Sequence, residues 1–155
     1  MAKETYDVFL SHSHSDANYV QKLAELLAKQ KALRPWLDKW VVSPGGSFQQ
    51  AITKGLKEAK SCAVFLGAKK AGGWFEKEYE AALNRQAEDK SFRVIPVLLR
   101  GADPKSINIF LELNDWVDFR EAKDFDYAFH RLTCGIKGVP PGRWPPTKSL
   151  KSKNR

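Results

Sequence analysis

Cysteine, methionine and long apolar runs are what this chain has least of. Among its 155 residues are two cysteines and one methionine. Cys62 and Cys134 stand far apart, with no C-x-x-C pair, no histidine at ligand spacing and no signal-peptide pattern ahead of them. That excludes a disulfide framework and a cysteine-type zinc site, and leaves the expectation of two reduced, buried thiols in an intracellular protein. The longest apolar runs, 62–66 and 94–99, fall far short of the ~20 residues a spanning helix needs. A soluble, cytoplasmic protein is expected.

Phosphate-binding fingerprints are missing too. No G-x-G-x-x-G follows the first strand-like run and no G-x-x-x-x-G-K-[ST] occurs anywhere, which argues against a dehydrogenase or a P-loop enzyme. Charge is present in excess: 26 basic against 18 acidic residues, a net +8. Residues 137–155 hold six basic and no acidic residues, which leaves twenty against eighteen, or +2, for residues 1–136. The body is nearly neutral, and a nucleic-acid reading loses its footing.

What is there is an alternation of short apolar runs with amphipathic stretches. Tyr6 to Leu10 reads as a strand, closed by the polar cluster Ser11-His12-Ser13-His14-Ser15-Asp16, which can turn and cap a helix. Val20, Leu23, Ala24 and Leu27 then recur at helical spacing to about Lys31. Arg34 to Leu37 is a second strand. Asp38 to Ser47, with its Pro44-Gly45-Gly46, reads as irregular backbone, and Ser47 caps a helix facing inward through Phe48, Ile52, Leu56 and Ala59.

Ser61 to Gly67 reads as a central strand buried on both faces. The spacing then predicts a helix over 74–86, with Phe75, Tyr79 and Ala82 inward, and a fourth strand over 93–99 whose Pro96 points to an edge or a bulge. Residues 116–119 form a fifth strand and 124–136 a last helix, with Trp36 and Trp116 assigned to the core. From Gly138 onward the chain is proline-rich and then basic, so residues 1–136 are read as the domain and 137–155 as a linker or tail. Repeating βα units of this kind imply an α/β, flavodoxin-like three-layer sandwich, a five-stranded parallel sheet with helices on both faces.

In open α/β sheets ligands bind beyond the carboxyl ends of the strands. The loops there are 11–15, 38–47, 67–74 and 100–105. A phospho-acceptor receiver domain would need an acidic cluster near the first strand and an aspartate ending the third, where this chain has Ser11-His12 and Leu66-Gly67. Of the carboxylates near this edge, Asp38 opens the second loop. Glu78 shares a helical face with Trp74, four residues earlier, whereas Glu76 and Glu80 fall on another side. On pattern alone Glu78 reads as a solvated carboxylate beside lysines, and the Ser-His cluster as a hydrogen-bonded turn rather than a triad or metal site.

Taken in order, YDVFLSHSHSD, LDKWVVSPGGS and WFEKE resemble the Toll/interleukin-1 receptor (TIR) domain family, most closely its bacterial NAD-cleaving members, over roughly residues 5–135. The resemblance implies cleavage of the nicotinamide–ribose bond of NAD+, with Glu78 as the catalytic carboxylate. Ser11, His12, Asp38, Trp40 and Trp74 are then the substrate-binding residues. NAD+ is the substrate, and neither a cofactor nor a metal is expected. His14 stands where some enzymatic members carry a basic residue.

The resemblance also implies homotypic self-association through the second loop, a fused or separate sensor domain as partner, no membrane, and a role in immune, cell-death or antiviral signalling. Two other readings stay open. One is a TIR–TIR adaptor module without turnover; the other is an enzyme like the nucleoside deoxyribosyltransferases, which also set a glutamate on a sugar.

Overall fold

The computed structural model describes residues 6–68, 73–103 and 114–145, with the backbone alone for 73–79. Its strands are β1 (Val8–Ser11), β2 (Pro35–Trp36), β3 (Ser61–Leu66), β4 (Arg93–Leu98) and β5 (Val117–Asp118). Its helices are α1 (Ala17–Lys31), α2 (Asp38–Val41), α3 (Phe48–Glu58), α4 (Gly73–Glu88) and α5 (Phe125–Lys137). All four strand pairings are parallel, in the order β2-β1-β3-β4-β5. The expected flavodoxin-like sandwich is the fold observed.

Alternation along the strands sorts the core into two layers. Val8, Leu10, Ala63, Phe65, Ile95 and Val97 face α1 and α5, meeting Leu23, Leu27, Phe129 and Leu132. Phe9, Cys62, Val64, Val94 and Leu98 face the other side, where Ile52 and Leu56 of α3, Ala82 of α4 and Trp36 cover them. Both cysteines are buried and neither is in a disulfide; Cys134 Sγ lies 3.6 Å from Nε2 of His130, four residues earlier on α5. Ser47 caps α3 as its side chain suggests, accepting the Gln50 N–H at 3.2 Å.

Arg93 closes the C-terminus of α5, donating from Nε to the Gly135 carbonyl at 2.9 Å and from Nη2 to that of Ile136 at 2.7 Å. Beyond it the chain lies back on the same helix. The His130 ring meets the Pro141 carbonyl at 2.8 Å through Nε2, and Trp144 packs on Tyr127 and His130 with centroids 5.5 and 5.1 Å apart.

Several expectations are corrected. Asp38 to Val41 is one turn of helix rather than irregular backbone, because the Trp40 and Val41 N–H groups both reach the Leu37 carbonyl. Phe48 is the first residue of α3, ahead of the turns that meet the sheet, and it is 44% exposed. Trp116 precedes the outermost strand, lies outside both core layers and is 37% exposed.

Pro96 sits in an internal strand, not at an edge or bulge, paired with Val64 in unbroken register. Its missing N–H is tolerated for a local reason. The Leu99 N–H turns to β3 and the Leu98 carbonyl to the β5 side. By parallel alternation Pro96 also faces the β5 side, and pairing with β5 begins only at Val97. The Asn114 side chain completes that flank by donating to the Val94 carbonyl at 3.0 Å.

Trp36 fixes the spacing of α3 from the sheet. Its ring stacks on Phe9 with centroids 4.3 Å apart, and a Cβ at Gly55 would stand 2.5 Å from its Nε1. Alanine favours a helix over glycine by about 1 kcal/mol, but overpacking a core contact costs about 1–3 kcal/mol, and the stacked, buried indole has little room to yield. Gly55→Ala is therefore expected to lower stability by at least about 1 kcal/mol net. Urea unfolding checks this, and a neutral or stabilised variant would refute the tight approach.

Candidate functional site

The chain reverses its winding direction between β1 and β3, which is where ligands bind at the carboxyl edge of sheets of this kind. β1 ends in the buried Ser11, so the serine belongs to the strand rather than to the loop after it. His12 follows, also buried. Its Nδ1 lies 3.2 Å from the Leu10 carbonyl, and its Nε2 faces Asp38 Oδ1 at 3.8 Å. A ring that donates from Nδ1 to that carbonyl is held in one orientation, with Nε2 turned to the carboxylate.

Asp38 is itself held, because Oδ1 accepts the Lys39 N–H at 2.7 Å. Lys39 Nζ donates to Gln21 Oε1 at 3.3 Å, which ties α2 to α1. Trp40, next in line, is 45% exposed, while Val41 and Val42 pack inward against the α3 layer. The loop then turns at Gly45, whose φ of +82° suits glycine, and closes with a 2.8 Å bond from the Gly46 N–H to the Ser43 carbonyl.

His12 and Asp38 thus meet at one corner of the edge, next to Ser11 at the end of β1, while Trp40 is exposed two residues further along α2. Trp74 and Glu78 fall in α4, which begins beyond the carboxyl end of β3. Their side chains lie outside the described residues. The helical register sets position 78 one turn before Ala82, and position 74 one turn earlier; Ala82 itself is fully buried against the sheet.

The polar cluster after β1 forms a hydrogen-bonded turn, as its composition predicts. Ser13 Oγ donates to Asp16 Oδ2 at 3.0 Å and lies 3.1 Å from Ser15 Oγ. Asp16 precedes α1 without capping it through its side chain. Its carboxylate lies against Gly67 instead, where a Cβ would stand 2.5 Å from both oxygens. Sequence reasoning missed this contact; the only signal was a glycine directly after a buried strand. Among the described residues no group of three or more histidine, cysteine or acidic side chains could hold a metal ion. No helix among them is long and apolar enough to cross a membrane.

The clearest electrostatic displacement on this edge is at β5. Hydrogen bonding to Arg120 holds the Asp118 carboxyl below its ordinary value, and the same pair holds the guanidinium up. Nε and Nη2 of Arg120 reach Oδ1 and Oδ2 of Asp118 at 2.9 and 2.8 Å.

A family model for the TIR domain matches residues 8–133. NAD(+) hydrolase TcpA of Theionarchaea archaeon (strain DG-70-1) is 33% identical over 94 residues, 59% of this chain and 28% of that protein. The 2′ cyclic ADP-D-ribose synthase AbTIR of Acinetobacter baumannii (strain 1295743) is 37% identical over 62 residues, 39% of this chain and 23% of that protein. The matches to these curated relatives span under a third of their length. Among solved structures, the TIR domain of the Toll-related receptor TRR-2 from Hydra magnipapillata superposes with a TM-score of 0.67 at 17% identity, over 86% of this chain and 99% of that one. At that identity the likeness concerns the fold.

Because the folded chain favours ionised Asp118, its contribution to stability is complete above the unfolded carboxyl's pKa, near 4, and is lost as pH falls through the lower folded value. Asp118→Asn is expected to remove that part of the acid-side decline, so the two stability curves converge as pH drops toward about 2. Chemical denaturation across pH 2–6 checks it; parallel curves would show that the pair does not persist in solution.

Proposed function

The chain belongs to the TIR domain family, and from that premise we propose that it is an NAD+ glycohydrolase acting through Glu78. The supporting observation is the register of α4. Position 78 stands one helical turn before the buried Ala82, on the helix that follows β3 at the switch point, and Ser11, His12, Asp38 and Trp40 belong to segments at the same edge. Relatives named as an NAD+ hydrolase and a cyclic ADP-ribose synthase support the same chemistry.

One carboxylate suffices for this reaction. The bond between the anomeric carbon and the pyridinium nitrogen breaks with both electrons going to nitrogen, so neutral nicotinamide leaves without the proton that an ordinary glycoside requires. Positive charge develops on the ribose, and the Glu78 carboxylate, accepting hydrogen bonds from ribose hydroxyls, stabilises it. Water then attacks the anomeric carbon and releases a proton, giving ADP-ribose; capture by a hydroxyl of the same molecule gives a cyclic isomer. Trp40 and Trp74 offer ring faces to the nicotinamide or adenine, while Ser11, His12 and Asp38 hold the ribose end. The setting is cytoplasmic signalling, with activity rising on self-association.

One observation favours a second reading. Trp40 and Phe48 bracket the second loop and are both exposed, as an adaptor's docking loop requires. Glu78→Gln separates the two. The glycohydrolase reading expects NAD+ loss and nicotinamide release, assayed at high protein concentration, to fall at least ~100-fold with an unchanged circular dichroism spectrum. Equal turnover by both proteins sinks the role of Glu78, and no release from verified wild-type oligomers leaves the adaptor.

A further inference from the structure

The carboxyl edge opens on the opposite face of the sheet from α4. Between the start of α1 and the ends of β4 and β5 lies a cleft of about 680 Å³, walled by Tyr19, Arg100, Phe119, Arg120 and Lys123 together with Asp16. That volume is in the range of small-molecule sites, roughly 300–1,000 Å³. The walls follow from the fold. Leu99 continues the β3–β4 ladder by donating to the Leu66 carbonyl at 2.8 Å, Phe119 does the same toward Leu98 at 2.8 Å, and Gly101 turns the chain aside at a φ of +85°.

The chemistry of the walls is uneven. Arg100, Arg120 and Lys123 come from the β4–β5–α5 side, and Tyr19 stands across from them on α1. Arg120 is pre-set: two of its nitrogens are engaged by Asp118, which leaves Nη1 to meet a ligand. Neither Arg100 nor Lys123 has a carboxylate partner among the described residues. The acidic lining is smaller, Asp16 being drawn to Ser13 and Gly67 while Glu121 remains. Tyr19 meets Phe119 edge-on with centroids 6.3 Å apart, and its outer part is exposed. Partial burial holds its hydroxyl above the ordinary value, so it stays a neutral donor.

We propose that this cleft is a nucleotide site, taking the phosphates of a nucleoside diphosphate on Arg100, Arg120 and Lys123 and its base against Tyr19. Phosphate alone accounts for the cations but not for the aromatic wall or the volume, whereas a nucleotide uses all three. The site shares no residue with the Glu78 corner and does not rest on NAD+ cleavage.

The test is calorimetric titration of the whole chain with ADP and, separately, with pyrophosphate. Four variants accompany the wild type: Arg100→Ala/Lys123→Ala, Tyr19→Leu, Glu78→Gln, and the charge-matched control Lys54→Ala/Lys57→Ala on α3, each checked for an unchanged melting temperature. The expected result is ADP binding to the wild type, weakened tenfold or more by the cleft double variant and several-fold by Tyr19→Leu. The lysine control and Glu78→Gln leave it unchanged. Absence of ADP binding overturns the proposal, as does equal weakening by the control. Loss of binding with Glu78→Gln while the cleft variants bind normally assigns the ligand to the other corner and likewise overturns it. Pyrophosphate binding as tightly as ADP overturns the assignment of a base to Tyr19.

Discussion

Burial of β3 on both faces is the constraint from which the rest of the architecture follows. From Ser61 to Phe65 no residue of this strand is appreciably exposed. A strand so enclosed needs neighbours on each edge for its backbone groups and a layer of helices over each face. β1 and β4 fill the edges, α1 and α5 cover one face, and α3 and α4 cover the other. Parallel pairing then sends every strand out at the same edge, so the polar loops converge there with no sequence signal of their own.

Two close approaches set how tightly that edge is drawn. Gly55 lets α3 settle on Trp36, which anchors β2 and with it the start of the second loop. Gly67 lets the Asp16 carboxylate come down beside the end of β3, which draws the loop after β1 over the sheet. The first contact governs the corner of His12, Asp38 and Trp40. The second sets the boundary between that corner and the cleft on the α1 and α5 side. One edge therefore carries the His12–Asp38 pair and, divided from the α3 and α4 side by the sheet, a cleft of different chemistry.

Period and burial made the strands, the helices and their order readable. Val20 to Leu27 carry a helical period, and the run from Ser61 is short, apolar and closed by Gly67, the pattern of a strand buried on both faces. Illegible features depend on where elements stop or on partners remote in sequence. Phe48 and Trp116 are apolar and in phase, yet they sit one step beyond the turns that reach the sheet. Pro96 argued for an edge because its sequence does not say on which flank β5 starts late. Trp144 lies in a proline-rich stretch without period, and its packing on Tyr127 and His130 is the meeting of single rings. At the candidate site the contrast is the same. His12 and Asp38 are twenty-six positions apart, and only the parallel pairing of β1 with β2 brings them to 3.8 Å.

The second loop bears on whether one chain is enough. A lone carboxylate facing a developing cation works best where water is kept out, since a low-dielectric surrounding strengthens the interaction and water weakens it. The loop positioned to exclude water is short, turns at Gly45 in open space, and leaves Trp40 and Phe48 largely outside the core. Within one chain it is a poor lid. Its apolar residues are of the kind that become buried when a surface meets another. On the proposed glycohydrolase reading, the physical link between assembly and turnover is desolvation around the carboxylate.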